Sequence, residues 1–307
     1  MATYRAFGLT LDSRFELPGM RAVDPPEGER VSLALATEAE LAAAWSGAEG
    51  PPTWLTRFPD GNVVRVETGV QGDQRIQFGE LAEFWLSADA DSILCAPRLA
   101  RDAAWQRFLL DTVLWGTALR RGYGLLHACG IEHPTGVVAI SSQMGGGKTT
   151  LGLELLRRGY PLFCDDVLVL AHTTDGGVVA EPGPPFMNVP AGVDDVARFG
   201  RVLASLGDET WLAVDRLSTS PLPLSALFLY TRSADLRLEA RLTETSVIDL
   251  VPQLFLPVDG LDRERFNLLS TVADQVPVFH LTAPADASAQ AVSDTIESVL
   301  EESAITV

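Results

Sequence analysis

Cysteine is scarce in this chain. Three residues, Cys95, Cys129 and Cys164, are spread over 307 positions, and no two form a C-x-x-C pair. An odd number at such spacing excludes a disulfide scaffold and a structural zinc site. Positive charge is also short: 23 Lys plus Arg face 41 Asp plus Glu, a formal net charge of −18. So acidic a surface repels polyanions, and neither nucleic acid nor an anionic membrane surface is an expected partner. Capture of a small anion stays open, because a helix N-terminus and one lysine reverse the field inside a pocket. No run approaches the ~18 apolar residues that cross a bilayer. The opening MATYRAFGLTLDSRFELPGM lacks the apolar core of a signal peptide. A cytoplasmic protein is the expectation.

What is present describes a globular chain, 47% hydrophobic and 21% charged, long enough for one large or two modest domains. The first hundred residues read as short strands. TWLTRFPDGNVVRVETG places Asp60-Gly61 between two alternating runs, a hairpin signal. QRIQFG and SADADSILCAP continue in the same style, and proline pairs at 25–26 and 51–52 divide the region. From Arg101 the pattern turns helical: Trp105, Phe108, Leu109 and Val113 share a face, and Gly122 and Gly124 end it. GLLHACGIE and GVVAIS then predict strands, a helix is expected from Lys148 to Arg158 with Gly159 as its stop, and LSALFLYTR is a further strand. Helices close the chain, the last with Val292, Ile296, Val299 and Leu300 on one face. The expected organisation is a small β-rich domain over 1–100 and an α/β domain over 101–307.

SSQMGGGKTTLGLELLRRG, from Ser141 to Gly159, carries the strongest chemical signal. A glycine-rich turn between strand and helix aims backbone N–H groups inward, and the helix dipole adds positive charge for phosphate. Gly145, Gly146 and Gly147 permit positive φ and close approach. Lys148 is placed to bridge the outer phosphates of ATP and the Thr149 hydroxyl to ligate Mg²⁺, with Thr150 completing the loop. The plain alternative is a flexible turn before an ordinary helix.

PLFCDDVLVL sets Asp165 and Asp166 side by side in an apolar stretch. Burying two adjacent carboxylates costs several kcal/mol without a metal, a cation or donors. A turn with both acids in water is the bland reading; a metal-bound nucleotide nearby is the functional one. Successive extended residues face opposite ways, so one acid is expected on Mg²⁺ and the other toward an acceptor hydroxyl.

GGGKTTLGLELLRRGYPLFCDDVLVL resembles the corresponding stretch of the HPr kinase/phosphorylases, whose nucleotide fold is shared with ATP-dependent phosphoenolpyruvate carboxykinases. LLHACGIE places His127 where that family keeps an active-site histidine. The resemblance covers 127–170 and implies an α/β phosphate-loop nucleotide domain of HPr-kinase type behind the small β-rich domain. It implies Lys148 and Thr149 on phosphate and Mg²⁺, Asp165 as general base, Asp166 in the metal shell and His127 beside the base. YRAFGL, LHA, PGPPFMNVP and VPVFHL are similar to HPr-kinase-like proteins encoded near ribosomally made peptide clusters, lasso-peptide kinases among them. Departures are Ser142 for the loop's first glycine, Thr150 for glutamate, and EPGPPFMNVPAG in place of the arginine- and glycine-rich signature. In that segment Glu181 and Asn188 are the polar candidates. HPr itself and the reverse phosphorolysis are therefore not expected.

The expected activity is an ATP- and Mg²⁺-dependent kinase acting on a hydroxyl, serine of a peptide or protein first, a small hydroxyl-bearing metabolite otherwise. A nucleotide-binding regulatory or scaffold module is the alternative from another class. Related enzymes assemble as oligomers, so a homo-oligomer belongs to what the resemblance implies. Arg198, Arg201 and Arg241 are the open candidates for a cation over the transferred group; Arg157 and Arg158 complement the helix dipole.

Overall fold

Period-two alternation makes the N-terminal region a sheet. Its strands are β1 (Ala2–Ala6), β2 (Leu9–Ser13), β3 (Glu29–Leu35), β4 (Trp54–Arg57), β5 (Val63–Thr68), β6 (Gln74–Phe78), β7 (Ala82–Leu86) and β8 (Ser92–Pro97), in the order β1-β2-β3-β8-β7-β6-β5-β4. The computed structural model describes residues 1–307 except 25–28, 49, 58–61, 101, 255–261 and 305–307. β4 and β5 pair antiparallel from Trp54 opposite Val66 to Arg57 opposite Val63; the Asp60-Gly61 turn lies outside the described residues. A short helix α1 (Glu38–Ala44) starts with a Thr37–Glu40 capping box.

The following helix has two α-helical parts, α2 (Ala103–Phe108) and α3 (Leu114–Arg120), joined by a π-helical turn over Leu109–Val113. Trp105, Phe108, Leu109 and Val113 are all buried, as their spacing predicts. They share one core with Leu9, Leu11, Leu33 and Phe84 of the first sheet, and each large side chain so buried contributes roughly 1.5–3 kcal/mol. The extra residue of the π turn shifts the helix face locally, and Asp111 sits in that turn.

The rest of the chain is mixed α/β. It contains β9 (Gly124–Leu126), β10 (Ala128–His133), β11 (Gly136–Ser141), α4 (Lys148–Arg158), β12 (Leu162–Cys164), β13 (Leu168–His172), β14 (Val178–Glu181), β15 (Phe186–Pro190), β16 (Gly200–Leu206) and β17 (Glu209–Val214). β18 (Leu222–Arg232), β19 (Glu239–Leu242), α5 (Val247–Leu250), α6 (Arg263–Gln275), β20 (Val278–Ala283) and α7 (Ala289–Ala304) follow. β18 belongs to two groups of strands. Its start pairs with β14 and leads to β13 and β9, while the remainder pairs in parallel with β11 and β20. β15, β17 and β16 form a separate three-stranded sheet.

β11 is buried on both faces. Val138 and Ile140 enter a core with Leu151, Leu155, Val292 and Ile296 of α4 and α7. Val137 and Ala139 face the opposite core, with Leu268 and Val272 of α6. α4 spans the expected residues and stops at Gly159, whose φ of 104° closes the helix. Arg158 ties it to α7 through Asp294 at 2.7 Å and Glu297 at 2.5 Å. Among the described residues, no helix is long and apolar enough to cross a membrane.

Candidate active site

Two breaks in one strand pair create the site. β9 pairs with β13, Leu126 opposite Leu168, and β10 pairs with β12 in the same register, Gly130 opposite Cys164. Between these pairings the ladder is interrupted. His127 lies in one gap, Asp165 and Asp166 in the other. The acids therefore do not continue a strand, which corrects the expectation of two extended residues facing opposite ways. Asp166 has φ +67°, and the Val167 N–H donates to the Asp165 carbonyl at 2.8 Å. This is a γ-turn centred on a non-glycine residue in the left-handed region, a conformation costing on the order of 1–3 kcal/mol.

The bend brings the predicted residues together. Lys148 Nζ lies 2.8 Å from His127 Nε2 and donates to the Ser142 carbonyl at 3.2 Å. His127 Nδ1 lies 3.0 Å from the Asp166 carbonyl and 3.4 Å from Asp166 Oδ1. A lysine ammonium only donates, so Nε2 accepts and the ring proton sits on Nδ1, facing Asp166. Thr149 Oγ1 donates to Asp165 Oδ1 at 3.3 Å, and the Asn188 N–H donates to Asp165 Oδ2 at 2.9 Å. The two acids are thus not both in water: Asp165 is partly buried and held by two donors, while the Asp166 side chain is 39% exposed.

Charge and burial perturb this group together. Burial, with the neighbouring Asp166 charge, pushes the Asp165 carboxyl up to about 7 against the two hydrogen bonds. Burial lowers Lys148, which is only 6% exposed, although Asp166 and Asp165 oppose the shift. Burial also lowers His127, with Lys148 adding to it and Asp166 opposing, in keeping with a neutral ring.

The loop before α4 has the conformation its glycines allow. Gly145 and Gly147 have φ of 73° and 99°, and α4 begins at Gly147 without a side-chain cap. Its first N–H groups stay open, as at anion-binding helix ends. Ser142 fits because residue 146 has no side chain: a Cβ on Gly146 would stand 2.6 Å from Ser142 Oγ. Thr150 is exposed. With Tyr230, Arg232 and Ala287 it lines a cavity of about 170 Å³ beside Gly147.

The arginines considered from sequence lie elsewhere. Arg198 stacks over Phe199 at 4.8 Å, Arg241 pairs with Glu239 at 2.8 Å, and Arg201 is exposed. Arg232 lines the cavity beside the loop and Arg107 a cleft with Asp165; their guanidinium groups are bonded to the Ala287 carbonyl and to Glu209. Glu181 turns away to Arg5, 3.6 Å off. His133, His172 and His280 are outside the cluster; His133 bonds Thr135, and the other two are exposed.

Sequence reasoning passed over several neighbours. Gln253 accepts the His127 N–H at 2.7 Å on its carbonyl, and its side chain lies 2.6 Å from Ser141 Oγ. Asp111 lines the Asp165 cleft. Its signal was a lone acid inside the apolar run from Phe108 to Trp115. Another signal is compositional: of the 23 Lys and Arg residues, Lys148 alone is a lysine. Every other Lys or Arg position is arginine, and a lysine offers a compact ammonium where arginine offers a planar fork.

No protein-family model matches the chain, and no curated protein matches it. Among solved structures, the Hpr(Ser) kinase/phosphatase from Coxiella burnetii is similar at 12% sequence identity and a TM-score of 0.36. The alignment covers 58% of this chain and 97% of that one. A likeness of this size leaves the chemistry to be argued from the site.

Proposed function

We propose that the protein is an ATP- and Mg²⁺-dependent phosphotransferase that moves the γ-phosphoryl group to a hydroxyl, serine of a peptide or protein or the hydroxyl of a small metabolite. One observation carries the reading. The only lysine of the chain is buried at an uncapped helix N-terminus, and the next residue, Thr149, touches Asp165 of a strained acid turn.

In this reading the open N–H groups of Gly145, Gly147 and Lys148, with the Lys148 ammonium, bind the β- and γ-phosphate oxygens, while the Gly146 N–H, which donates to the Gln143 carbonyl at 2.9 Å, shapes the loop around them. The cavity beside Thr150, Tyr230 and Arg232 receives the nucleoside. Thr149 Oγ1 and Asp166 would hold Mg²⁺, which when bound neutralises phosphate charge. The donors fit that ion: a hydroxyl and a part-exposed carboxylate are hard oxygen ligands, and Mg²⁺ takes one or two protein oxygens, with water and phosphate supplying the others.

Asp165 orients the acceptor hydroxyl and takes its proton as the oxygen bonds to phosphorus. The bond from phosphorus to the β–γ bridging oxygen breaks, and ADP keeps that electron pair. A carboxyl raised to about 7 suits a base working near neutral pH. His127 accepts from Lys148 and holds Asp166 through Nδ1, so it positions both sides of the site.

The test is incubation with γ-labelled ATP and Mg²⁺, with cell extract and with defined hydroxyl compounds. Label in peptide or protein supports the serine acceptor, and label in a small molecule the metabolite. Tight ATP binding with no transfer to either refutes the enzyme and leaves a nucleotide-binding regulatory or scaffold module.

A further inference from the structure

A second cleft is lined by Asp165 and by no residue of the loop, with a free volume of about 20 Å³, room for one water-sized group. Its walls come from distant parts of the chain. Phe7 stands at the tip of the β1–β2 hairpin, with φ 56°, and its N–H donates to the Pro182 carbonyl at 2.8 Å. Phe186 and Trp211 add two more rings, 5.0 Å apart. The polar lining is Asp165, Asp111, Asn188 and Arg107.

Asp165 has its two donors, but Asp111 and Asn188 present oxygens without one. Asn188 Oδ1 is buried without a hydrogen-bond partner. Among the described residues no hydrogen bond or ion pair reaches the Asp111 carboxylate. Arg107 also lines the cleft, but its guanidinium is bonded to Glu209. Burial, then Asp166 and Asp165, pushes the Asp111 carboxyl up to about 7 despite Arg107. A small cation relieves both deficits, pairing with Asp111 and donating to Asn188, and aromatic rings line the same cleft. A neutral donor can bond either oxygen but leaves the Asp111 charge uncompensated, and an anion adds to it.

We infer that this cleft is the acceptor subsite and selects a hydroxyl carried next to a primary ammonium group, with Asp111 as the anchor of the ammonium. The hydroxyl part rests on the kinase reading above; the ammonium part does not. Ammonium is a water-sized head, which the volume admits. Two sources share the chemistry, a free amino alcohol and a peptide beginning with serine. In either case the N-terminal hairpin and the π-helical turn, rather than the loop, set specificity.

Binding is measured first, by titrating the full-length protein with ethanolamine and with ethylene glycol in ligand-observed NMR. Ethanolamine should bind about tenfold or more tightly, and Asp111→Asn should bring the two within about threefold. Equal binding to the wild type overturns the inference, whatever the variant does, so a variant that fails to fold leaves the test decisive. Transfer from labelled ATP is then followed to ethanolamine, to a Ser-Ala-Ala peptide and to its N-acetylated form. Phosphorylation of ethanolamine supports the small-molecule source, and of the free but not the acetylated peptide the peptide source. Equal phosphorylation of both peptides overturns ammonium selection while the kinase stands. Ammonium-dependent binding with no transfer to any compound supports the cleft's selectivity and removes the kinase.

Discussion

Replacing Asp165 by asparagine is expected to stabilise the protein while disabling it. The Asp165 carboxyl sits at about 7, against ~4 in an unfolded chain. From about pH 4 to about pH 7 the folded protein therefore keeps a proton that the unfolded chain has released, so wild-type stability falls as pH rises through that window. About three units at ~1.4 kcal/mol each give an upper bound near 4 kcal/mol. Partial exposure screens this, and roughly 1–3 kcal/mol is expected above pH 7. Asparagine carries no such penalty. Its carbonyl can take the Asn188 N–H, and its amide can donate to the Thr149 hydroxyl, which rotates to accept; these are the two groups that now bond Asp165. Calorimetry without nucleotide or metal should show Asp165→Asn melting several degrees above wild type at pH 8, with the gap closing near pH 4. Phosphoryl transfer should fall by about a thousandfold or more, with ATP affinity changed only a few-fold. A variant that melts below wild type at pH 8, or with the same gap at both pH values, would refute the claim that this carboxylate is held at a cost to folding.

Lys148→Arg keeps the charge but brings a larger, planar head to a site where Nζ is fixed by His127 and Ser142; calorimetric titration should show ATP affinity reduced by roughly 10–100-fold. An acyl-phosphate derivative of ATP should acylate Lys148 in peptide mapping, and excess ATP should protect it. Gly146→Ala should destabilise by about 1–3 kcal/mol and weaken ATP binding, because its Cβ meets Ser142 Oγ at 2.6 Å. Ser142→Gly should recover part of both losses in the double variant, read by denaturant melts and titration.

His127 and the acid pair show where local reading stops. Both were visible as polar residues in apolar strands, and their common site followed from the family resemblance over 127–170. The reason they meet is an interrupted strand pair that keeps one register across the break, with Asp166 at positive φ. In DDVLVL the aspartates tolerate that φ better than most residues, but the apolar residues that follow read as a strand and do not fix which acid takes it. The strain is held from outside, by the pairings of β9 with β13 and of β10 with β12.

By itself the sequence determined the β11–loop–α4 unit, its glycine stop and the candidate phosphate ligands. Those features depend on φ freedom, helix ends and apolar spacing, all settled within a few residues of chain. Its composition also marks Lys148 as the single lysine of the chain. Only the tertiary structure decided that Phe7, Asp111, Asn188 and Trp211 share a cleft with Asp165. That meeting comes from strand pairings and a π-helical turn contributed by segments up to about two hundred residues apart. Burial and unpaired charge there are properties of the assembled walls, and no local pattern encodes them.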